Sequence, residues 1–248
     1  MIRVLVAGES WITTTTHTKG FDHFTSSAFE TGVGDFKRAL EDMGMRVTHM
    51  PGHEVAEEFP WTIEELNQFD VVVLSDIGAN TFLLSRRTWV DGVAVPNRLA
   101  VLADWVRSGG GLMMAGGYMS FQGIDGRARF HGTDVEAVLP VQIHAADDRV
   151  EVPEGVVGVV RQSHAVVDSV RDLEWPPLLG YNRTIARPDS EVIVSAGDDP
   201  LLAVRSVGQG RSLVWTSDIA PHWCPRGFTE WDGYAEIMKN SVAWLADT

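Results

Sequence analysis

Residues 112–123 read Leu112-Met113-Met114-Ala115-Gly116-Gly117-Tyr118-Met119-Ser120-Phe121-Gln122-Gly123. Four apolar residues running without a charge into two glycines describe a buried strand that ends in a tight turn. Small residues at such a turn let the backbone fold sharply and hold one side chain over the sheet edge, which is the form of a nucleophile elbow.

The N-terminal half supplies the sheet that the turn requires. Ile2 to Ala7 is a first strand. Val33, Phe36, Leu40 and Met43 then recur at helical spacing and stop at Gly44, a helix C-cap. Arg46 to Met50 is a second strand, and Val71 to Leu74 a third, apolar on both faces. Thr62-Ile63-Glu64-Glu65 between them has the capping-box form. Ile77 to Pro96 is a long connection, followed by a helix from Asn97 to Arg107 with a buried stripe of Leu99, Leu102, Trp105 and Val106. This alternation predicts an α/β fold, doubly wound on a mostly parallel, flavodoxin-like sheet.

From Val141 to Asp218 the pattern changes to strand-like runs at 150–152, 156–160, 192–195, 201–205 and 213–217, punctuated by Pro153, Asp198-Asp199-Pro200 and Gly208-Gln209-Gly210. A β-rich C-terminal half is expected. Thr229-Glu230-Trp231-Asp232 reads as a second capping box, opening a last helix that buries Tyr234, Ile237, Met238, Val242 and Leu245.

Composition narrows the function classes. The chain has 248 residues, a net charge of −14, 44% hydrophobic and 22% charged residues. A single domain over 1–248 with a large core is expected. The acidic balance excludes a broad nucleic-acid or anionic-membrane surface, because phosphates are gripped by clustered Lys and Arg. The longest uncharged stretch, Ser108 to Ile124, carries six glycines and falls short of the ~20 apolar residues of a membrane helix. One cysteine, Cys224, excludes an intramolecular disulfide framework. With an Arg in the first apolar run and no signal-peptide pattern, a soluble, cytoplasmic protein is expected. Nine Trp and ten Phe leave apolar surface for a homo-oligomer.

In an open parallel sheet, ligands bind beyond the C-terminal strand ends, so four loops should share one cleft. They carry Glu9, Ser10, Trp11, His17, Lys19, Asp22 and His23; Ser75, Asp76 and Asn80; Tyr118, Met119, Ser120 and Gln122; and Ser217, Asp218, His222 and Trp223. His222 is the candidate base, with Asp218 or Asp76 orienting it and Ser120 as a candidate nucleophile. Ser120 beside glycine is also the ordinary cap of a backbone turn, the reading that takes precedence. His17, Lys19, Asp22, Asp76, Asn80, Tyr118, Met119, Gln122 and Trp223 are candidate ligand contacts. Thr13 to Thr16 would form a cleft wall, and Trp223 and Trp231 a platform for a sugar face. His17, Asp22, His23 and His53 match no recognised metal spacing, and no G-x-G-x-x-G fingerprint is present, so neither metal nor cofactor is expected. A lone Cys224 reads as a small buried hydrophobe.

Four phrases carry a family resemblance: Lys19-Gly20-Phe21-Asp22, Leu74-Ser75-Asp76-Ile77-Gly78-Ala79-Asn80-Thr81, Gly116 to Gly123, and Ser217-Asp218-Ile219-Ala220-Pro221-His222-Trp223. With them the chain resembles, nearly end to end, the class I glutamine amidotransferase-like superfamily, and within it a bacterial branch labelled "putative glutamine amidotransferase". It is also similar to the ThuA-like proteins. Gly117-Tyr118-Met119 sits where that superfamily carries Gly-x-Cys, and His222 where it carries its catalytic His, followed there by Pro-Glu. Here Met119 replaces the cysteine and Cys224 stands where the Glu is expected. A thioether has no proton to lose and forms no thioester. The resemblance implies a protein that acts on or binds a small polar, carbohydrate-derived molecule at the strand-end cleft. The alternatives are a non-catalytic ligand-binding or assembly protein, and a glutaminase using Cys224 or Ser120.

Overall fold

The computed structural model describes residues 1–247. Strand β1 (Arg3–Gly8) is buried from Val4 onward. The chain then leaves the body: β2 (Ser10–Lys19) and β3 (Asp22–Thr31) pair only with each other, in unbroken antiparallel register from Ser10–Thr31 to Lys19–Asp22. The loop expected over these residues is therefore a ribbon. Its β-branched threonines favour the extended backbone, and Gly20, at φ +65°, allows the two-residue turn with Phe21. No residue of it is buried, so Thr13 to Thr16 form no cleft wall.

Helix α1 (Gly34–Glu41), β4 (Arg46–Met50), α2 (Gly52–Glu58), α3 (Ile63–Leu66) and β5 (Val71–Ser75) follow. Thr62 caps α3 by accepting from the Glu65 amide at 3.2 Å, while the Glu65 carboxylate accepts from the Trp61 amide rather than that of Thr62. The connection from Ile77 to Pro96 holds two short helices, α4 (Ala79–Leu83) and α5 (Arg86–Trp89). Then come α6 (Arg98–Arg107), capped by the Asn97 side chain, and β6 (Gly111–Ala115). The remaining strands are β7 (Val141–Ile143), β8 (Arg149–Val156), β9 (Val159–Val160), β10 (Leu178–Asn182), β11 (Thr184–Ala186), β12 (Glu191–Ala196), β13 (Asp199–Val207) and β14 (Gly210–Trp215). Helix α7 (Asp134–Val138) precedes them, and α8 (Arg226–Thr229) and α9 (Asp232–Ala246) close the chain. Thr229 ends α8 and does not cap α9, whose N-cap is Trp231 without a side-chain bond, because Pro225 starts a separate turn of helix just before it.

The main sheet runs β4-β1-β5-β6-β14-β13-β12-β9. The pairings from β4 to β14 are parallel and those from β14 to β9 antiparallel. The α/β architecture stands, but the sheet is mixed rather than mostly parallel, since short turns join β12, β13 and β14 and such turns permit only antiparallel neighbours. Two small ladders, β8 with β10 and β7 with β11, complete the β-rich part.

Alternate residues of the parallel strands enter two cores. Val4, Val6, Val71, Val73 and Met113 face α1 and α9, while Leu5, Ala7, Val72, Leu74, Leu112 and Met114 face α2, α4, α6 and α7. Arg98 pins the second layer. Its buried guanidinium donates to the carbonyls of Phe82 (2.7 Å), Ala56 (2.8 Å) and Val55 (3.0 Å) and lies over the Trp61 ring. Burial pulls its pKa down to about 10, which leaves it charged at neutral pH.

Candidate functional site

Because β1, β5, β6 and β14 are parallel, their C-terminal ends share one edge of the sheet. The register pairs Gly8 with Ser75, Leu74 with Met114 and Ala115 with Trp215, so Glu9, Asp76, Gly116 and Thr216 emerge side by side. Glu9 and Asp76 both adopt positive φ, +47° and +43°. Left-handed backbone at two non-glycine residues next to each other on a sheet edge is strain of the kind stored at working sites. Around them opens a cleft of about 280 Å³ lined by Glu9, Trp11, Asp76, Tyr118, Asp218, Ala220, Pro221 and His222.

Gly117 makes the close approach possible. At φ +141°, its missing Cβ would sit 2.8 Å from Asp218 Oδ1 and 2.9 Å from Asp76 Oδ1, so the two carboxylates close around one carbon's space. Asp76 Oδ1 accepts the Met119 amide at 2.7 Å, and the Asp76 amide donates to Ser120 Oγ at 3.1 Å. Asp218 Oδ2 accepts from His222 Nδ1 at 2.9 Å and from the Trp223 amide at 3.0 Å, fixing the imidazole.

Burial sets the electrostatics. Glu9 is 4% exposed, takes one hydrogen bond from Ser75 Oγ at 2.6 Å, and faces Asp76 and Asp218; desolvation above all pushes its pKa up to about 8. Asp76 is likewise raised, first by burial and then by Asp218, against the Met119 hydrogen bond. His222 is raised by its hydrogen bond to Asp218, which outweighs its desolvation. The cleft at neutral pH thus holds a protonated Glu9 and an imidazole with an increased hold on its proton.

A scaffold from the β-rich half supports this edge. Glu151 of β8 accepts from Tyr118 Oη and Trp223 Nε1, each at 2.9 Å. The Tyr118 ring meets His222 edge-on with centroids 4.5 Å apart, and the Arg149 guanidinium lies over it. The Asn182 side chain accepts the Gly117 amide (3.0 Å) and donates to Asp148 (2.9 Å). Asp148 in turn accepts the amides of Gln122 and Gly123. The turn after β6 is thus held by buried polar groups from over 20 residues away.

Of the residues expected from sequence, Asp76, Tyr118, Asp218 and His222 line the cleft. Trp223 is buried behind it, its ring flat against Gly180. Met119 turns its terminal methyl towards Gly78, and Gln122 bonds the carbonyls of Gly126 and Ala145. Ser120 is buried, with its hydroxyl on the Asp76 amide, and does not line the cleft. Asn80 is exposed on α4. His17, Lys19 and Asp22 lie at the far end of the ribbon, His17 stacked on Phe24, roughly 20 Å along the strand at ~3.4 Å per residue. Cys224 is buried in the core, and desolvation pushes its thiol well up. Trp231 packs among Trp175 and Phe228. Glu9, placed by the sequence in the loops of the cleft but given no role there, is a lining carboxyl. The signal for it was its place directly after a strand-end glycine, matching Asp76 directly after Ser75. Glu151, Asn182 and Asp148 carried no local signal. Among the described residues no group of three or more His, Cys, Asp or Glu is placed to hold a metal ion, and no helix is long and apolar enough to cross a membrane.

The model of the family GATase1_like, described as "Putative glutamine amidotransferase", matches residues 3–247. Among solved structures, the cytoplasmic protein STM3548 from Salmonella typhimurium is 41% identical, with 98% of each chain covered and a TM-score of 0.94. The cytoplasmic protein STM1381 from Salmonella typhimurium LT2 is 40% identical over 98% of this chain and 99% of that one, with a TM-score of 0.92. A protein from Bacteroides uniformis described as "putative ThuA-like" shares the fold at 11% identity, covering 98% and 91% with a TM-score of 0.57. No curated protein matches the chain.

Proposed function

The chain belongs to the GATase1_like family of glutamine amidotransferase-like proteins, and from that premise we propose that it performs acid–base chemistry, without a thiol nucleophile, on a small uncharged or cationic polar molecule bound at the strand-end cleft. The observation that carries this reading is the Asp218–His222 pair, bonded at 2.9 Å and facing Glu9 and Asp76 in one small cleft. No Lys or Arg lines that cleft. An anionic ligand would meet three carboxyl groups with only the Asp218-paired His222 to offset them, whereas hydroxyl, amide or amine groups would meet both hydrogen-bond donors and acceptors.

In this reading His222 moves the proton, held in one tautomer by Asp218, and protonated Glu9 donates to a ligand oxygen. Asp76 accepts. Tyr118 and Trp11 supply the apolar walls that a carbohydrate-derived ring stacks on. Hydrolysis is the simplest reaction these groups serve. A glutaminase has less support: Met119 stands in place of the thiol, Cys224 is sealed in the core, and Ser120 is spent on the Asp76 amide. A location in the cytoplasm is supported by the description of the Salmonella relatives.

The test is a thermal-shift panel of sugars, amino sugars, amides, sugar acids and glutamine on the wild type and on His222→Ala. A hit among neutral or cationic compounds, lost in the variant, supports the reading; ammonia release from glutamine, or hits confined to anions, would overturn it. A binder present at 100 times its dissociation constant raises stability by ~2.7 kcal/mol, ample to detect.

A further inference from the structure

We propose that the β2–β3 ribbon is an association arm whose partner is the same arm and adjoining surface of a second copy of this chain. The ribbon is anomalous as a monomer's surface. Of its 20 strand residues 19 are exposed and none is fully buried, and an isolated two-stranded hairpin is marginal at best in water. Yet it keeps ten residue pairs in register without a bulge.

Its chemistry is that of a covered surface. Ile12, Phe24 and Phe29 are 65%, 53% and 51% exposed, and Phe21 projects fully from the tip. Both outer edges leave backbone N–H and C=O groups without strand partners, and no proline or bulge blunts either edge. Scattered surface apolars need no explanation, but apolar side chains and two open edges on one projecting ribbon do.

Charge argues for a second copy as the occupant. The chain carries −14, yet residues 10–31 hold only Lys19, Asp22 and Glu30 as full charges. A cationic partner would be drawn to the acidic body. Two like-charged copies meet with least repulsion along the one long projection that is nearly neutral. Geometry agrees. Ten residues at ~3.4 Å make a ribbon about 34 Å long. At ~4.8 Å per strand such a ribbon is about 10 Å wide, so two arms exchanged about a two-fold axis, each enclosed on both faces, bury roughly 700 Å² per copy, close to the ~800 Å² per partner of a standard interface. The serine and threonine hydroxyls on both strands are self-complementary, as an isologous contact requires.

The experiment is sedimentation equilibrium of the full chain over a concentration series, beside Phe21→Asp/Phe24→Asp and Phe21→Asp alone. Hydrogen exchange of residues 10–31 is followed in parallel. The wild type is expected at a multiple of the single-chain mass, with arm amides whose protection rises with concentration. The double variant, folded by circular dichroism, is expected at single-chain mass with an unprotected arm. Phe21→Asp alters only a fully exposed tip, so it remains a folded comparison with an intermediate shift if the double variant does not fold. A wild type that stays single-chain throughout, a multimer of unchanged mass in both variants, or arm amides that are equally protected at every concentration would each overturn the proposal. Ligand binding plays no part in this readout, so its outcome is separate from that of the proposed activity.

Discussion

Two regions begin within three residues of each other where β1 ends, and they treat polar side chains in opposite ways. At Glu9 the chain is buried, left-handed and fastened: its amide reaches Ser75 O at 2.7 Å and its carboxyl reaches Ser75 Oγ. From Trp11 onward it is extended and exposed, with hydroxyls paired across the ribbon, such as Thr14 with Ser27 at 3.0 Å. Polarity alone therefore does not mark a site. What separates the two is whether the backbone is held where desolvation can change a side chain's chemistry.

That contrast is tested most strongly by removing the charge that Glu9 acquires. Its folded pKa of about 8 lies above the unfolded value, so the folded state binds the extra proton. The resulting stability is present in full below about pH 4.5 and is lost as pH rises through 8. The His222 shift has the same sign, with stability lost as pH climbs past the ordinary histidine range. Glu9→Gln, which resembles the protonated acid, should therefore match the wild type near pH 4.5 and exceed it by up to ~4 kcal/mol at pH 8.5, a figure from the shift at 1.36 kcal/mol per unit. Urea melts at the two pH values measure it. Equal curves at pH 8.5 would mean that ionising Glu9 costs the folded protein nothing, so that its carboxyl is not held above the ordinary range. Ligand binding that needs a protonated Glu9 should weaken above pH 8 in the wild type.

Next in size is Gly117→Ala. The added carbon falls under 3.0 Å from both Asp76 and Asp218 oxygens, at a φ that L-residues avoid, so ~3 kcal/mol or more is expected to be lost together with all ligand response. Gly20→Ala on the ribbon meets no atom within 4 Å and bears only the cost of its positive φ, about 1 kcal/mol. Chemical denaturation of the pair places a number on the difference between the regions. Similar losses at both would show that backbone conformation, not the carboxylate clasp, dominates at Gly117. His222→Ala should leave the fold intact, since the ring is half exposed, and should remove turnover along with the ligand-induced gain of ~2.7 kcal/mol at 100 times the dissociation constant. A ligand shift unchanged in that variant would exclude His222 from the site.

Much of the architecture was legible because it rests on periodicity. The strand at Val71 to Leu74, the helix from Asn97 and its buried stripe follow from local pattern, and parallel strand ends then bring Asp76, Tyr118, Asp218 and His222 together. What was not legible depends on partners distant in the chain. Asn182 and Asp148 fasten the turn after β6 across gaps of 65 and 25 residues, and no spacing rule announces them. Arg98 stands in the first turn of α6, where a charged side chain is ordinarily solvated, yet it is buried against five carbonyls. The ribbon failed for another reason. A run of threonines with polar neighbours has neither helical nor alternating hydrophobic period, and only pairing across the Gly20-Phe21 turn makes it a structure.

The smallest expected effect concerns that ribbon, and it isolates what pairing across it contributes. Thr14→Ala removes a hydroxyl contact with Ser27 on the face that also bears Ile12 and Phe29, and Thr16→Ala removes a longer one with Thr25 on the same face. Both donors lie in water, so breaking either bond exchanges a protein contact for a solvent one and should cost no more than ~0.5 kcal/mol of folding stability. In a lone ribbon the lost β-branch is the larger of these small terms. If the ribbon is instead enclosed by a second copy, the same hydroxyls are removed from water on association, and the effect moves from folding to assembly. Thr14→Ala would then leave the denaturation curve of dilute protein unchanged while shifting the midpoint of the concentration-dependent mass. A loss above 1 kcal/mol in dilute protein would place the ribbon among the cooperative elements of the monomer and erase the contrast with the cleft.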